Sequence, residues 1–294
     1  MNPETNIDDL PREIFMAIIN DLDEADIVMV SFSCKKWNNL MIEEISELFE
    51  MQNELTKHAA YLGYISILKW AKSNNHRWSD LTAPYAAQGG HLDILKWLLG
   101  EEDSHWNRTV SNFAAYGGQL EVLKWLVTVG LSHRFHSHFW FKPCDSQTAY
   151  FAAKTGQLEV IQWLHKNNYM RTHVISYSDQ STDEISEAAA KGGHLKILQW
   201  IKSEYQRIEG FYCIAGAAKG GQIEILEWLK ENNCILNRYA YIAAARKGRL
   251  AVLKWLYANG CQLNKKKLNQ IVDLAIIRND QEIFEWSQSI IATK

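Results

Sequence analysis

Hydrophobic and polar positions along this chain fall into one pattern that returns eight times. Two alanines are followed by two variable residues, a glycine, and an apolar stripe that ends in tryptophan. The pattern reads AAYLGYISILKW at Ala59–Trp70, AAQGGHLDILKW at Ala86–Trp97, AAYGGQLEVLKW at Ala114–Trp125 and AAKTGQLEVIQW at Ala152–Trp163. It continues as AAKGGHLKILQW (Ala189–Trp200), AAKGGQIEILEW (Ala217–Trp228), AARKGRLAVLKW (Ala244–Trp255) and an eroded AIIRNDQEIFEW (Ala275–Trp286). In the third copy the apolar positions are Leu120, Val122, Leu123, Trp125 and Leu126, the spacing of a helix with one buried face. The preceding alanines predict the close-packed end of a shorter helix, and the glycine supplies the positive φ that ends it.

Each unit is therefore a helix pair whose apolar stripe must be covered by the next unit, so the chain reads as a stack rather than a globule with one pocket. The tryptophan is expected to be the largest piece of that interface, and its truncation would cost about 3–5 kcal/mol if it were buried. The glycine doublets Gly89-Gly90, Gly117-Gly118, Gly192-Gly193 and Gly220-Gly221 share one register and follow no strand, so they read as turns and not phosphate loops. Trp78, Ile208, Leu236 and Leu263 each lie eight residues after a repeat tryptophan, and Trp106 nine, and are expected to dock onto the stack. His91 and His194 recur at one turn position and read as architectural.

Composition narrows the class. Among 294 residues 47% are hydrophobic, enough for a core, yet no stretch approaches the roughly 18 apolar residues of a membrane helix. The polar N-terminus is no secretory signal. Five dispersed cysteines without a C-x-x-C pair suggest a reducing compartment, cytosol or nucleus, and Cys234 and Cys261 share one repeat position, which favours small apolar packing residues over ligands. The net charge of −3 hides an asymmetry: residues 1–50 carry three basic residues (Arg12, Lys35, Lys36) against twelve acidic ones, a balance of −9, which leaves +6 for the rest. That is too dilute for a nucleic-acid footprint. Lys265-Lys266-Lys267 reads as a solvated helix face.

The first fifty residues do not share the repeat. Pro11 stands where a helix begins, and Ile14, Phe15, Ile18, Ile19 and Leu22 form a stripe with spacing of three and four. Asp23–Asp26 breaks it, a second helix runs through Ile27, Val28 and Val30, and a third carries Cys34, Trp37 and Leu40. Three short helices bury too little surface to be comfortable alone, so part of this face expects a partner. The helix at Ile42–Asn53 is expected to lead into the stack and cover its first unit.

The repeated phrase resembles the second half of an ankyrin repeat, and Leu81–Leu99 is close to a whole one. The resemblance covers about residues 54–290. The usual T-P-L-H start is reduced to Leu81-Thr82-Ala83-Pro84, and the tryptophan spacings are 27, 28, 38, 37, 28, 27 and 31. The short spacing, the tryptophan and Asn259-Gly260-Cys261 look like the ankyrin-type repeats abundant in giant DNA viruses of amoebae and in some protists. The N-terminal segment resembles an F-box, through Leu10, Pro11, Glu13, Ile14, Ile18, Leu22, Asp23, Cys34, Lys35 and Trp37, with Ser33 where the family usually has valine. The alternative is a small helical cap, which a stack also requires.

The resemblances imply an all-α chain: a three-helix F-box over residues 5–50, then an ankyrin-like helix–turn–helix solenoid over 51–294 with seven clear repeats and one degenerate. They imply a non-enzymatic substrate receptor of an SCF-type ubiquitin ligase, in which Leu10, Pro11, Ile14, Ile18, Leu22 and Trp37 dock on the Skp adaptor and the stack binds a target. In the viral case the setting would be a host cell. The rival reading is a binding or sequestering scaffold that does not engage a ligase.

The two long tryptophan spacings place insertions at Gly130–Ser146 and Asn168–Asp183, in adjacent units and so on one side of a stack. Arg134, Phe135, Phe139, Trp140, Phe141, Tyr169 and Arg171 are the residue types of a recognition patch, unless the two loops simply pack on each other. His133, His136, His138 and Cys144 form at most half of a zinc site, and no metal or other cofactor is expected. No H-E-x-x-H, phosphate-loop or G-x-S-x-G motif suggests catalysis. Neither nucleic acid nor membrane is expected as a partner.

Overall fold

The computed structural model describes residues 49–73, 79–99, 108–131, 143–170, 180–206, 208, 210–237 and 239–292. Among them every regular element is an α-helix, and the sixteen helices fall into eight pairs. The chain divides into two compact units, up to Val110 and from Ser111 onward.

The first unit contains the pairs α1 (Phe49–Leu62) with α2 (Ile65–Ser73) and α3 (Thr82–Gly89) with α4 (Leu92–Leu99). The helix anticipated to stop at Asn53 instead runs to Leu62 and is itself the first helix of a pair. Its Thr56 hydroxyl is buried and accepts from Thr82 Oγ1 at 3.2 Å, which ties the middle of α1 to the start of α3.

The second unit contains α5 (Arg108–Tyr116), α6 (Leu120–Leu131), α7 (Ser146–Thr155), α8 (Leu158–Lys166), α9 (Gln180–Gly192) and α10 (Leu195–Tyr205). It continues with α11 (Gly210–Gly220), α12 (Ile223–Glu231), α13 (Tyr239–Arg246), α14 (Leu250–Ala258), α15 (Lys265–Arg278) and α16 (Gln281–Ala292). Odd-numbered helices pack on one another from α7 to α15, and each also packs on its own even-numbered partner.

The glycine after each alanine helix takes φ of 67–88°, and in the eroded eighth copy Asn279 holds the same place at φ 54°. Asparagine is the non-glycine residue that most readily accepts this conformation, so erosion of the sequence leaves the turn intact. At the residue before it the constraint is proximity. A Cβ on Gly220 would stand 2.2 Å from the Lys191 carbonyl oxygen of the preceding pair. Thr155, which replaces glycine there in the fourth copy, donates its hydroxyl to the equivalent Tyr116 carbonyl at 2.8 Å.

The core is a seam of alanine and aliphatic side chains. In the second unit both alanines of each phrase are buried, as are Val122, Leu123 and Leu126 and their counterparts such as Ile225, Leu226 and Leu229. The second alanine is covered by the next pair. Ala115, Ala153, Ala190, Ala218 and Ala245 are at most 1% exposed, whereas Ile276, at the same position where no further pair follows among the described residues, is 62% exposed.

The repeat tryptophans depart from expectation. Trp97, Trp125, Trp163, Trp200, Trp228, Trp255 and Trp286 are half-buried, with the apolar residue that follows each inside the core in most pairs. A ring as large as indole cannot enter a seam whose spacing is set by alanine. It lies along the edge, where Trp200 meets the His165 ring (5.5 Å between centroids), Trp286 meets Tyr257 (6.3 Å) and Trp255 Nε1 donates to Glu227 at 3.3 Å.

Candidate functional site

Two side-chain ladders run from pair to pair and explain several polar residues without invoking a ligand. In the turn after the glycine, His91 Nε2 donates to the Tyr61 carbonyl at 2.9 Å and His194 Nε2 to the Lys154 carbonyl at 3.1 Å. Arg249 and Arg278 make the same kind of bond to the carbonyls of Lys219 and Arg246, at 3.4 and 3.0 Å. These histidines are structural, as their recurrence suggested. At the far end of the second helices, the residue two beyond one tryptophan reaches the residue four beyond the next: His165 to Glu204 at 3.6 Å, Lys202 to Asn232, and Lys230 to Asn259 at 2.7 Å.

The sequence-derived sites fall unevenly on the structure. Leu10, Pro11, Ile14, Ile18, Leu22 and Trp37 lie outside the described residues, as do Arg134, Phe135, Phe139, Trp140, Phe141 and Arg171, the three histidines of the half-site, Trp78 and Trp106. Tyr169 is described. It closes the end of α8, half-buried and stacked on Trp163 with 5.6 Å between ring centroids. Burial, and next the nearby Cys144, push its hydroxyl pKa up. Cys144 is buried, and Asp145 caps α7 by accepting from the amides of Gln147 and Thr148 at 2.9 and 3.3 Å. Cys261 is buried too, which raises its thiol pKa and suits a packing residue better than a thiolate ligand. Leu263 docks as expected, at 5% exposure, and Ile208 and Leu236 are half-buried.

A groove of about 670 Å³ crosses the outward faces of α11, α13 and α15. Its apolar lining comes from Ala215, Ile242 and Leu274, spaced between the buried seam residues of their helices. Lys219, Arg246, Lys247 and Lys267 supply positive charge, and Asp273 is a carboxylate among them. Lys219 is paired with Glu187 on α9. Lys267 Nζ stands 5.3 Å from the centre of the Tyr239 ring. Tyr239 in turn meets Phe211 edge-on at 5.6 Å, and these two rings are 49% and 48% exposed. Gln270 also lines the groove, and its Oε1 accepts no hydrogen bond among the described residues.

The lysine run at 265–267 is thus only partly a solvated helix face. Lys265 and Lys266 are exposed, but Lys267 turns into the groove. One sequence signal marked this region. The residue after the two alanines is Tyr61, Gln88 and Tyr116 in the first three copies, and then Lys154, Lys191, Lys219 and Arg246.

Comparison with known families adds to this geometry. The model for the F-box domain matches residues 7–43, and the ankyrin-repeat model matches three copies over residues 83–176. The chain joins an F-box to ankyrin repeats. Both are typically interaction modules rather than catalytic ones. Pairs beyond residue 176 keep the same positive-φ turns and the same ladder, so the ankyrin-type architecture continues through them. No curated protein matches the chain, and the likeness of its repeats to those of giant DNA viruses finds no support from a relative. No helix among the described residues is long and apolar enough to cross a membrane.

Proposed function

We propose that the chain is the substrate receptor of an SCF-type ubiquitin ligase, working in the cytoplasm or nucleus. The observation that carries this reading is an F-box match at residues 7–43 in the same chain as a stack of ankyrin-type pairs. F-box domains generally bind the Skp adaptor, and ankyrin repeats bind target proteins. Leu10, Pro11, Ile14, Ile18, Leu22 and Trp37 would make the adaptor contact, with the insertions around Arg134–Phe141 and Tyr169–Arg171 contributing to target recognition. The contribution to ubiquitin transfer is proximity: a target held on the stack meets the ubiquitin-loaded enzyme at a raised effective concentration.

Co-expression with a Skp adaptor tests the reading. The full chain is expected to co-purify with the adaptor, and the combined changes Leu10→Ala, Pro11→Ala and Trp37→Ala to abolish the complex. Absence of any complex at micromolar concentration would leave the chain as a binding or sequestering scaffold independent of the ligase.

A further inference from the structure

The charge of the groove on α11, α13 and α15 is only partly explained by folding. A helix N-terminus carries partial positive charge, so cations in the first turn are unfavourable and acidic residues are favoured there. The first turn of α15 holds Lys265, Lys266 and Lys267 and no acidic residue. Arg246 closes α13, where a cation is favourable, so its placement is no puzzle by itself. The α15 lysines are the anomaly, and one of them, Lys267, stands at the groove that Arg246 and Lys247 also line. A structure that gives up stability in this way does so where another demand acts on the same residues.

We propose that this groove binds an extended, acidic peptide segment of the target protein, with an aromatic or aliphatic side chain of that segment seated against Tyr239 and Phe211. The proposal rests on the reading of the ankyrin stack as the target-binding part, and it places recognition at a site separate from the two insertions. Carboxylates of the segment meet Arg246, Lys247 and Lys267, while Glu187 already offsets Lys219. Ala215, Ile242 and Leu274 give side chains an apolar wall. A peptide suits the remaining polar groups better than a nucleic acid does. Asp273 is a carboxylate that can accept from a backbone amide, a donor that a peptide carries along its chain and a phosphodiester lacks.

The test is selection of short random peptides displayed on phage against the full-length chain, followed by affinity measurement on a synthesised winner. Winners are expected to be rich in Asp and Glu with one aromatic or leucine. Their affinity should fall at least about tenfold in the double variant Arg246→Glu, Lys267→Glu, and with rising salt, as expected when complementary charges are reversed or screened. Lys254→Glu, on an exposed position of α14, should leave it unchanged. Circular dichroism of each variant checks the fold, and Arg246→Gln with Lys267→Gln serves if the reversal unfolds the chain. The proposal is overturned if no peptide is enriched, if winners carry no acidic bias, if the groove variants bind as the native chain does, or if a single-stranded RNA oligomer competes for the groove more tightly than the winners. Adaptor co-purification of the same variants keeps the two readings apart: it should persist when peptide binding is lost, and its absence in the native chain would sink the receptor reading while leaving the peptide result standing.

Discussion

The seam and the groove are built on the same three helices, α11, α13 and α15, and they differ in what varies from one pair to the next. On the seam side Ala217 and Ala218 are followed a pair later by Ala244 and Ala245, and the tolerance is so tight that a single added methyl at Gly220 would collide with the neighbouring backbone. On the groove side Ala215 and Lys219 are followed by Ile242 and Arg246, and α15 places Asp273 at the position of Ala215 and Ile242. A side chain in the seam must fit a neighbour whose shape repeats, so it repeats too. A side chain facing the groove is free of that demand. The difference teaches where to look for function in a repeat protein: regular columns report packing, and irregular ones report whatever the surface meets.

The comparison can be broken most sharply inside the seam. Leu226 is fully buried in α12, and Leu226→Ala should cost about 2–5 kcal/mol. Trp228, two residues on, is larger but only half-buried, and Trp228→Ala should cost about 2 kcal/mol from the area it covers. Urea unfolding of the full chain, followed by fluorescence and circular dichroism together, measures both. A greater loss at Trp228 than at Leu226 would mean that the edge, not the seam, holds the pairs together.

That ranking inverts what the sequence alone suggests, and the reason is physical. Helical spacing reveals which residues share a face but not how closely two faces approach. The alanines, glycines and stripe of the repeat made the helix pairs legible, down to the turn at which each first helix ends. They did not show that a seam spaced by alanine has no room for indole. The groove was less legible because it lies across three pairs. Its residues are far apart in the chain, and only the shift from Tyr61, Gln88 and Tyr116 to Lys154, Lys191, Lys219 and Arg246 hinted at it. Lys267 could not be placed by pattern, since a single residue step along the helix separates the solvated Lys266 from Lys267 lying over Tyr239.

A smaller effect sharpens the same contrast through glycine. Gly220→Ala should cost about 1–3 kcal/mol, because its methyl group meets the Lys191 carbonyl and two packed helices must separate. Gly260→Ala adds a methyl group where nothing lies within 4 Å, so only the positive φ of 74° opposes it, at roughly 1 kcal/mol. Thermal unfolding of the two variants separates close approach from backbone strain. Equal losses would show that the spacing between α9 and α11 is softer than the seam requires.

The seam also leaves a signature in alkali. Burial, with Cys234 nearby as a lesser cause, raises the Cys213 thiol pKa well above its ordinary 9.0. Burial likewise raises the Tyr241 hydroxyl above 10.0, and Tyr241 donates to the Cys261 carbonyl at 2.9 Å. Both groups stay protonated in the folded chain and ionise first in the unfolded one. Their contribution is therefore complete below about pH 9 and is lost as pH climbs beyond it, by at most about 1.4 kcal/mol per pH unit for each group. Cys213→Ala removes one of the two groups, so the fall in melting temperature between pH 8 and pH 11 should be shallower in that variant than in the native chain. Ala215→Ser, on the groove side of the same helix, should leave the slope as it is. A slope unaffected by Cys213→Ala would show that the thiol reaches water in the folded state, and that the seam at α11 is less closed than its alanines imply.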